Sequence, residues 1–105
     1  MKRGEVWDAI LELPAKSRPV LILSRDSMPK SRPEITVAYL TRKPRNPRVE
    51  VALTAAADGV VVDSVVNLDS MNTIAKKRLT NRVCQLSRAK MDEVKDALLE
   101  AFDMK

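Results

Sequence analysis

The feature that most limits how this chain folds is its punctuation. Through the first 85 residues, short apolar runs rich in β-branched side chains are cut off at intervals by proline or by charged loops. Residues 6–13 mix apolar and acidic positions and stop at Pro14, which cannot continue a ladder of backbone hydrogen bonds. Pro19-Val20-Leu21-Ile22-Leu23 is continuously apolar, the pattern of a strand buried on both faces, with its proline at the tolerated first position. Residues 35–40 read as a third strand. In residues 49–53, Val49, Val51 and Leu53 alternate with Glu50 and Ala52. Asp58-Gly59 is a turn signal, and a long β-branched strand over 60–68 is expected after it. Between the runs lie two polar, proline-bearing loops, 25–33 and 41–48. Short strands at this spacing, with no helical period between them, predict a small antiparallel barrel.

The period changes only near the end. Met91, Val94, Leu98 and Phe102 recur at three- and four-residue steps, with Ala97 and Ala101 beside them, and Ser87 stands at the N-cap position. Leu86 and Met91 have the spacing of a hydrophobic staple. An amphipathic helix over about 88–102, closing one end or face of the barrel, is expected. At 105 residues the chain supports one domain. No stretch has the length or hydropathy of a membrane span, and the opening residues do not form a secretory signal. Cys84 is the only cysteine, so it reads as a small buried hydrophobe, and a reducing cytoplasm is the expected compartment.

Charge narrows the partner. Residues 1–48 hold 11 Lys/Arg against 5 Asp/Glu, a balance of +6, whereas residues 49–105 hold 8 against 9, a balance of −1. A basic half on a small domain favours a polyanion, and nucleic acid is the commonest. Trp7, Tyr39 and Phe102 are the whole aromatic set, too few for a reader built on stacked rings, so binding should rest on phosphate contacts and hydrogen bonds.

The absences restrict the chemistry further. Without histidine, the two-imidazole route to RNA cleavage and most zinc sites are closed. The acids are scattered rather than clustered for two metals, and two glycines cannot make a phosphate loop. A nuclease of this composition must use Arg, Lys and hydroxyl groups, with no cofactor and no metal. RNA permits that because it carries its own nucleophile, the 2′-hydroxyl; DNA would be untouched. Arg18, at the start of the buried run, and Thr41, at the end of the third, are the attractive pair, since rigid elements would hold both. Each also has an ordinary reading, as a surface cation and as a hydroxyl satisfying a strand end.

Taken in order, Arg3-Gly4-Glu5-Val6-Trp7, residues 17–24 (SRPVLILS), Ala38-Tyr39-Leu40-Thr41, residues 58–69 (DGVVVDSVVNLD), then Thr73-Ile74, Lys76 and Leu79, resemble the landmarks of the MazF/PemK (Kid) toxin family over nearly the whole chain. That resemblance implies a compact SH3-like antiparallel β-barrel with a C-terminal α-helix, a homodimer, and sequence-specific, metal-independent cleavage of single-stranded RNA to 2′,3′-cyclic phosphate and 5′-hydroxyl ends. It implies that Arg18 acts as general acid and phosphate anchor while Thr41 hydrogen-bonds the scissile phosphate. Lys16, Ser17, Arg42, Lys43, Arg45, Arg48, Ser70 and Asn72 are the expected RNA contacts. It also implies an antitoxin whose acidic, apolar C-terminal segment occupies the basic groove.

The chain departs from the family pattern in places. Its first loop, 12–18, is short and glycine-free, with Glu12 the nearest candidate for an acid found there in many members. Ser70 and Asn72 stand where some members carry Gln and Arg, so a different base sequence should be recognised. The loop 42–48 is unusually basic and reads equally as a phosphate contact or a solvated turn. Two other readings stand beside these. A gyrase-inhibiting toxin of the CcdB type would share the fold, but its relatives end in Trp-Gly-Ile and this sequence ends Phe102-Asp103-Met104-Lys105. A non-catalytic basic RNA-binding module would bind without cutting.

Overall fold

Leu21 is wholly buried between Val20 and Ile22, and the three explain the architecture. In a strand successive side chains point to opposite faces. Leu21 therefore enters one apolar cluster, with Val6, Ala38, Leu40, Val66 and Leu68, while Val20 and Ile22 enter a second, with Ala9, Ile35, Val37, Ile74 and Leu79. A strand with a core on each side has no polar face, which is why this run reads as continuously apolar. Each such side chain removed from water contributes about 1.5–3 kcal/mol.

The computed structural model describes residues 1–11 and 16–104. Its strands are β1 (Glu5–Ile10), β2 (Ser17–Ile22), β3 (Glu34–Thr41), β4 (Glu50–Leu53), β5 (Ser64–Ala75) and β6 (Leu79–Gln85). All pairings are antiparallel, in the order β4-β5-β3-β2-β1-β6, and the sheet curls into a half-barrel. Much of the curl arises in β5. Met71 pairs with Ala38, yet the next β3 residue, Tyr39, pairs with Asn67, so residues 68–70 bulge out of the ladder. A bulge bends and twists its strand, and here it lets the first part of β5 hold both β3 and β4, Asn67 facing Tyr39 on one side and Glu50 on the other.

The terminal helix α2 spans Arg88–Ala101. The Ser87 hydroxyl accepts the Lys90 N–H at 3.1 Å, as its position suggested. Val94 and Ala97 are buried against the first cluster, with Leu86, Met91, Leu98 and Ala101 packed around them. Phe102 is different: it lies one residue past the helix and is 56% exposed, so it does not extend the buried stripe.

A second correction concerns residues 60–63, expected to begin a long strand. Thr54 instead caps a helical turn, α1 (Ala55–Asp58), with its hydroxyl accepting from Ala57 and its own N–H donating to Asp58. Gly59 closes that turn in the left-handed conformation at φ 84°, and the strand starts only at Ser64. Local capping outcompeted the β-branched run here. Val60 still reaches the core, but Val61 and Val62 are left on the surface.

At the far end of β1 from Ile10, Glu5 ties β1 to the edge strand β6. Its carboxylate, 8% exposed, accepts from Lys2 N–H at 2.7 Å, Trp7 Nε1 at 3.2 Å and Arg82 Nε at 2.7 Å. Burial alone would raise its pKa, but these donors outweigh it and hold the group down at about 2.

Candidate catalytic cleft

Arg18 is the second residue of β2 and Thr41 the last of β3. Within the β2–β3 ladder Val20 faces Tyr39, Leu21 faces Ala38 and Ile22 faces Val37. Continuing that register outward sets Arg18 opposite Thr41, on the face that carries Val20 and Tyr39. The side chains agree with this placement. The Arg18 guanidinium lies over the Tyr39 ring, 5.1 Å from its centroid, and its Nη2 donates to the Leu40 carbonyl at 3.3 Å. These two contacts fix the planar fork beside the C-terminal end of β3. Among the described residues no carboxylate pairs with it, so its charge is available to an anion.

Thr41 is half-buried, and its Oγ1 accepts the Lys43 N–H at 3.2 Å. A hydroxyl has one donor and two acceptor positions, so this bond pins the oxygen and leaves its proton free to donate. Both residues border one cleft of about 620 Å³. Val6, Asp8, Ser17, Pro19, Leu40, Arg42, Lys43, Val60–Val62, Ser64 and Val83 complete its lining.

The remaining basic and polar positions divide. Ser17, Arg42 and Lys43 line the cleft with Arg18 and Thr41. Lys16 is exposed immediately before β2, its carbonyl accepting from Leu11 across the loop. Arg45 lies outside the cleft, in a bend organised by Glu50, whose carboxylate accepts the backbone N–H groups of Arg45 and Asn46. Arg48 turns away altogether: its Nε is 3.8 Å from a Glu100 carboxylate oxygen, in a groove against the acidic side of α2. The loop 42–48 is therefore not one cationic surface; only its first two residues face the cleft. Ser70 sits in the β5 bulge, and Asn72 donates to the Tyr39 hydroxyl at 3.2 Å, one step removed from Arg18. Glu12 lies outside the described residues.

Cys84 is half-buried against the core, and burial pushes its thiol up, away from the reactive thiolate. What the sequence reading missed is Asp8, the valine-bearing turn 60–62 and the Tyr39 ring beneath Arg18. Asp8 had a signal: an acid breaking an otherwise apolar strand.

The curled antiparallel half-barrel with one terminal helix is an architecture shared with solved toxin structures. The Mycobacterium tuberculosis toxin MazF-mt6 superposes with a TM-score of 0.85 at 31% identity, covering 96% of this chain and 98% of that one. A mycobacterial endoribonuclease solved in complex with its cognate antitoxin gives a TM-score of 0.85 at 24% identity, over 100% and 97% of the two chains, and speaks for the fold. In sequence, the probable endoribonuclease MazF2 of Mycobacterium tuberculosis is 38% identical over 93 residues, 89% of each protein. Residues 2–102 match the model of the PemK-like, MazF-like toxins of type II toxin–antitoxin systems. The chain belongs to that family.

Proposed function

We propose that this toxin endoribonuclease cuts single-stranded RNA by turning the ribose 2′-hydroxyl on its own neighbouring phosphate, with Arg18 and Thr41 holding that phosphate. The observation that carries the reading is the juxtaposition, on facing strand ends of one cleft, of a hydroxyl donor and a guanidinium that has no carboxylate partner among the described residues. The 2′-oxygen bonds to phosphorus as the bond from phosphorus to the 5′-oxygen breaks. The 2′-hydroxyl proton leaves to solvent, and the departing 5′-oxygen takes a proton from Arg18, which solvent restores. The transfer runs downhill because an alkoxide is a stronger base than guanidine. Thr41 donates to a phosphoryl oxygen. Positioning of this kind lowers barriers by roughly 7–11 kcal/mol at best, and one donor aimed at developing charge adds about 3–4 kcal/mol.

The donor set supports a route without metal: there is no histidine, and among the described residues no three Cys, Asp or Glu side chains gather as ligands. Arg42 and Lys43 extend the phosphate track, while Ser17 and Lys16 flank it. The partner that restrains the toxin is an antitoxin with an acidic, apolar segment, since cations and valines in one cleft suit such a peptide as well as they suit RNA. The working form is a homodimer in the cytoplasm. Among the described residues no helix is long and apolar enough to cross a membrane.

The test is incubation with an unstructured RNA in excess EDTA, with the ends of the products analysed. Cyclic phosphate and 5′-hydroxyl ends are expected, and a single 2′-deoxy substitution at the cut site should abolish cutting there. Dependence on added metal, or cutting at the deoxy position, would overturn the mechanism. Tight RNA binding without any cleavage would favour a non-catalytic module.

A further inference from the structure

With the cations assigned to phosphate, the cleft still holds an acid and a set of apolar walls that phosphate binding does not use. Asp8 lies in the middle of β1, on the face of Val6 and opposite that of Trp7 and Ala9. Its cross-strand neighbours are Pro19 and Asn81. It is half-buried, it lines the cleft, and among the described residues its carboxylate has no hydrogen-bond or ion-pair partner. A carboxylate there repels phosphate. It contributes only if a ligand brings donors to it, because a polar group removed from water without a partner is costly.

The surroundings indicate which donors. Val6, Pro19, Leu40, Val60 and Val83 form apolar walls, with Val61 and Val62 at the rim, 80% and 44% exposed. Apolar walls, one carboxylate and flanking cations suit an unstacked nucleobase whose backbone follows the basic side. Distance separates this role from catalysis. Asp8 is on β1 and Thr41 on β3, two strand spacings apart, about 9–10 Å. That is too far for both to touch one phosphate, and near enough to serve an adjoining nucleotide.

We propose that Asp8 is a specificity-determining residue that accepts hydrogen bonds from a guanine held between the valine walls of the cleft. Guanine alone presents two adjacent donors, N1–H and the 2-amino group, to the two oxygens of a carboxylate. Cytosine and adenine set a ring acceptor beside their amino group, and uracil flanks its one N–H with carbonyls, so each brings a lone pair against Asp8. The proposal rests on the RNA-cleaving reading of the cleft but is tested through binding, which does not require cutting.

The experiment is selection by the full chain from a random pool of short 2′-fluoro RNAs, which lack the 2′-hydroxyl nucleophile. The native protein should enrich guanine at one position at least tenfold, and inosine there, lacking the 2-amino group, should bind about tenfold more weakly. Asp8→Asn keeps the shape but replaces one acceptor with a donor, so the guanine enrichment should vanish and shift toward adenine. If that variant fails to fold, Val61→Ala, at an exposed rim, should weaken the same enrichment several-fold. No guanine preference in the native protein, or the same preference with Asp8→Asn, would overturn the proposal. Guanine selection by a protein that cuts no RNA would instead overturn the catalytic reading and leave this one standing.

Discussion

Glu5 and Asp8 are carboxylates three residues apart on one strand, and the molecule treats them oppositely. Glu5 is buried, takes hydrogen bonds from a backbone amide, an indole and a guanidinium, and is held ionised down to about pH 2. Asp8 is half-buried in the cleft, with no such partner among the described residues. The cations show the same division. Arg82 is committed to Glu5 and Arg48 leans on Glu100, whereas Arg18, Arg42 and Lys43 border the cleft without a carboxylate partner among the described residues. Charges that the fold satisfies internally hold the sheet together. Charges that it leaves open are the ones a ligand completes.

That contrast can be broken experimentally from either end. The largest effect is expected at Arg18. Replacing it with Ala should lower the cleavage rate by about 10²–10³-fold, while the thermal midpoint falls only slightly, because an exposed side chain with one carbonyl and one ring contact contributes little to stability. Arg18→Lys keeps the charge but loses the fork, so it should not restore the rate. Full activity in Arg18→Ala would refute the mechanism.

At the satisfied end, Glu5→Gln should leave cleavage by the folded protein intact but lower stability. A pKa held at about 2 against a usual 4.5 corresponds to roughly 3 kcal/mol, an upper figure because Arg82 is half exposed and solvent screens it. The sign follows from linkage. The native carboxylate's pKa is depressed, so its stabilisation is present in full above about pH 4.5 and fades as pH falls toward 2. Denaturant melts of the two proteins should therefore differ at pH 7 and converge through that interval. A constant difference across it would show that Glu5 acts by packing rather than charge.

The smallest effect concerns the basic loop. Arg42→Ala and Lys43→Ala should each reduce the log–log salt dependence of single-stranded RNA binding by about 0.7. Arg48→Ala should not, because that side chain lies outside the cleft, beside Glu100 of α2. An equal change from all three would mean that the loop acts as one cationic surface after all.

The legible parts of this chain are those decided by neighbours in sequence. The two-faced burial of residues 20–22, the capped helix from Arg88 and the placement of Arg18 and Thr41 at strand ends all followed from period, proline positions and a cap. Where the reading failed, two local signals competed. The valines at 60–62 read as strand, and a Thr54 cap with a left-handed Gly59 redirected them to the cleft. Nor could sequence divide the cations of the loop 42–48, since that depends on which carboxylates arrive from β4 and α2.

The amino-acid pattern by itself determined an antiparallel β architecture with one terminal helix, because hydrophobic period and backbone stops act over a few residues. Tertiary structure alone decided that Glu5 would be satisfied and Asp8 left open. Electrostatic compensation depends on which strands lie side by side, and the pairing of β1 with β2 and β6 is set by the whole folded sheet.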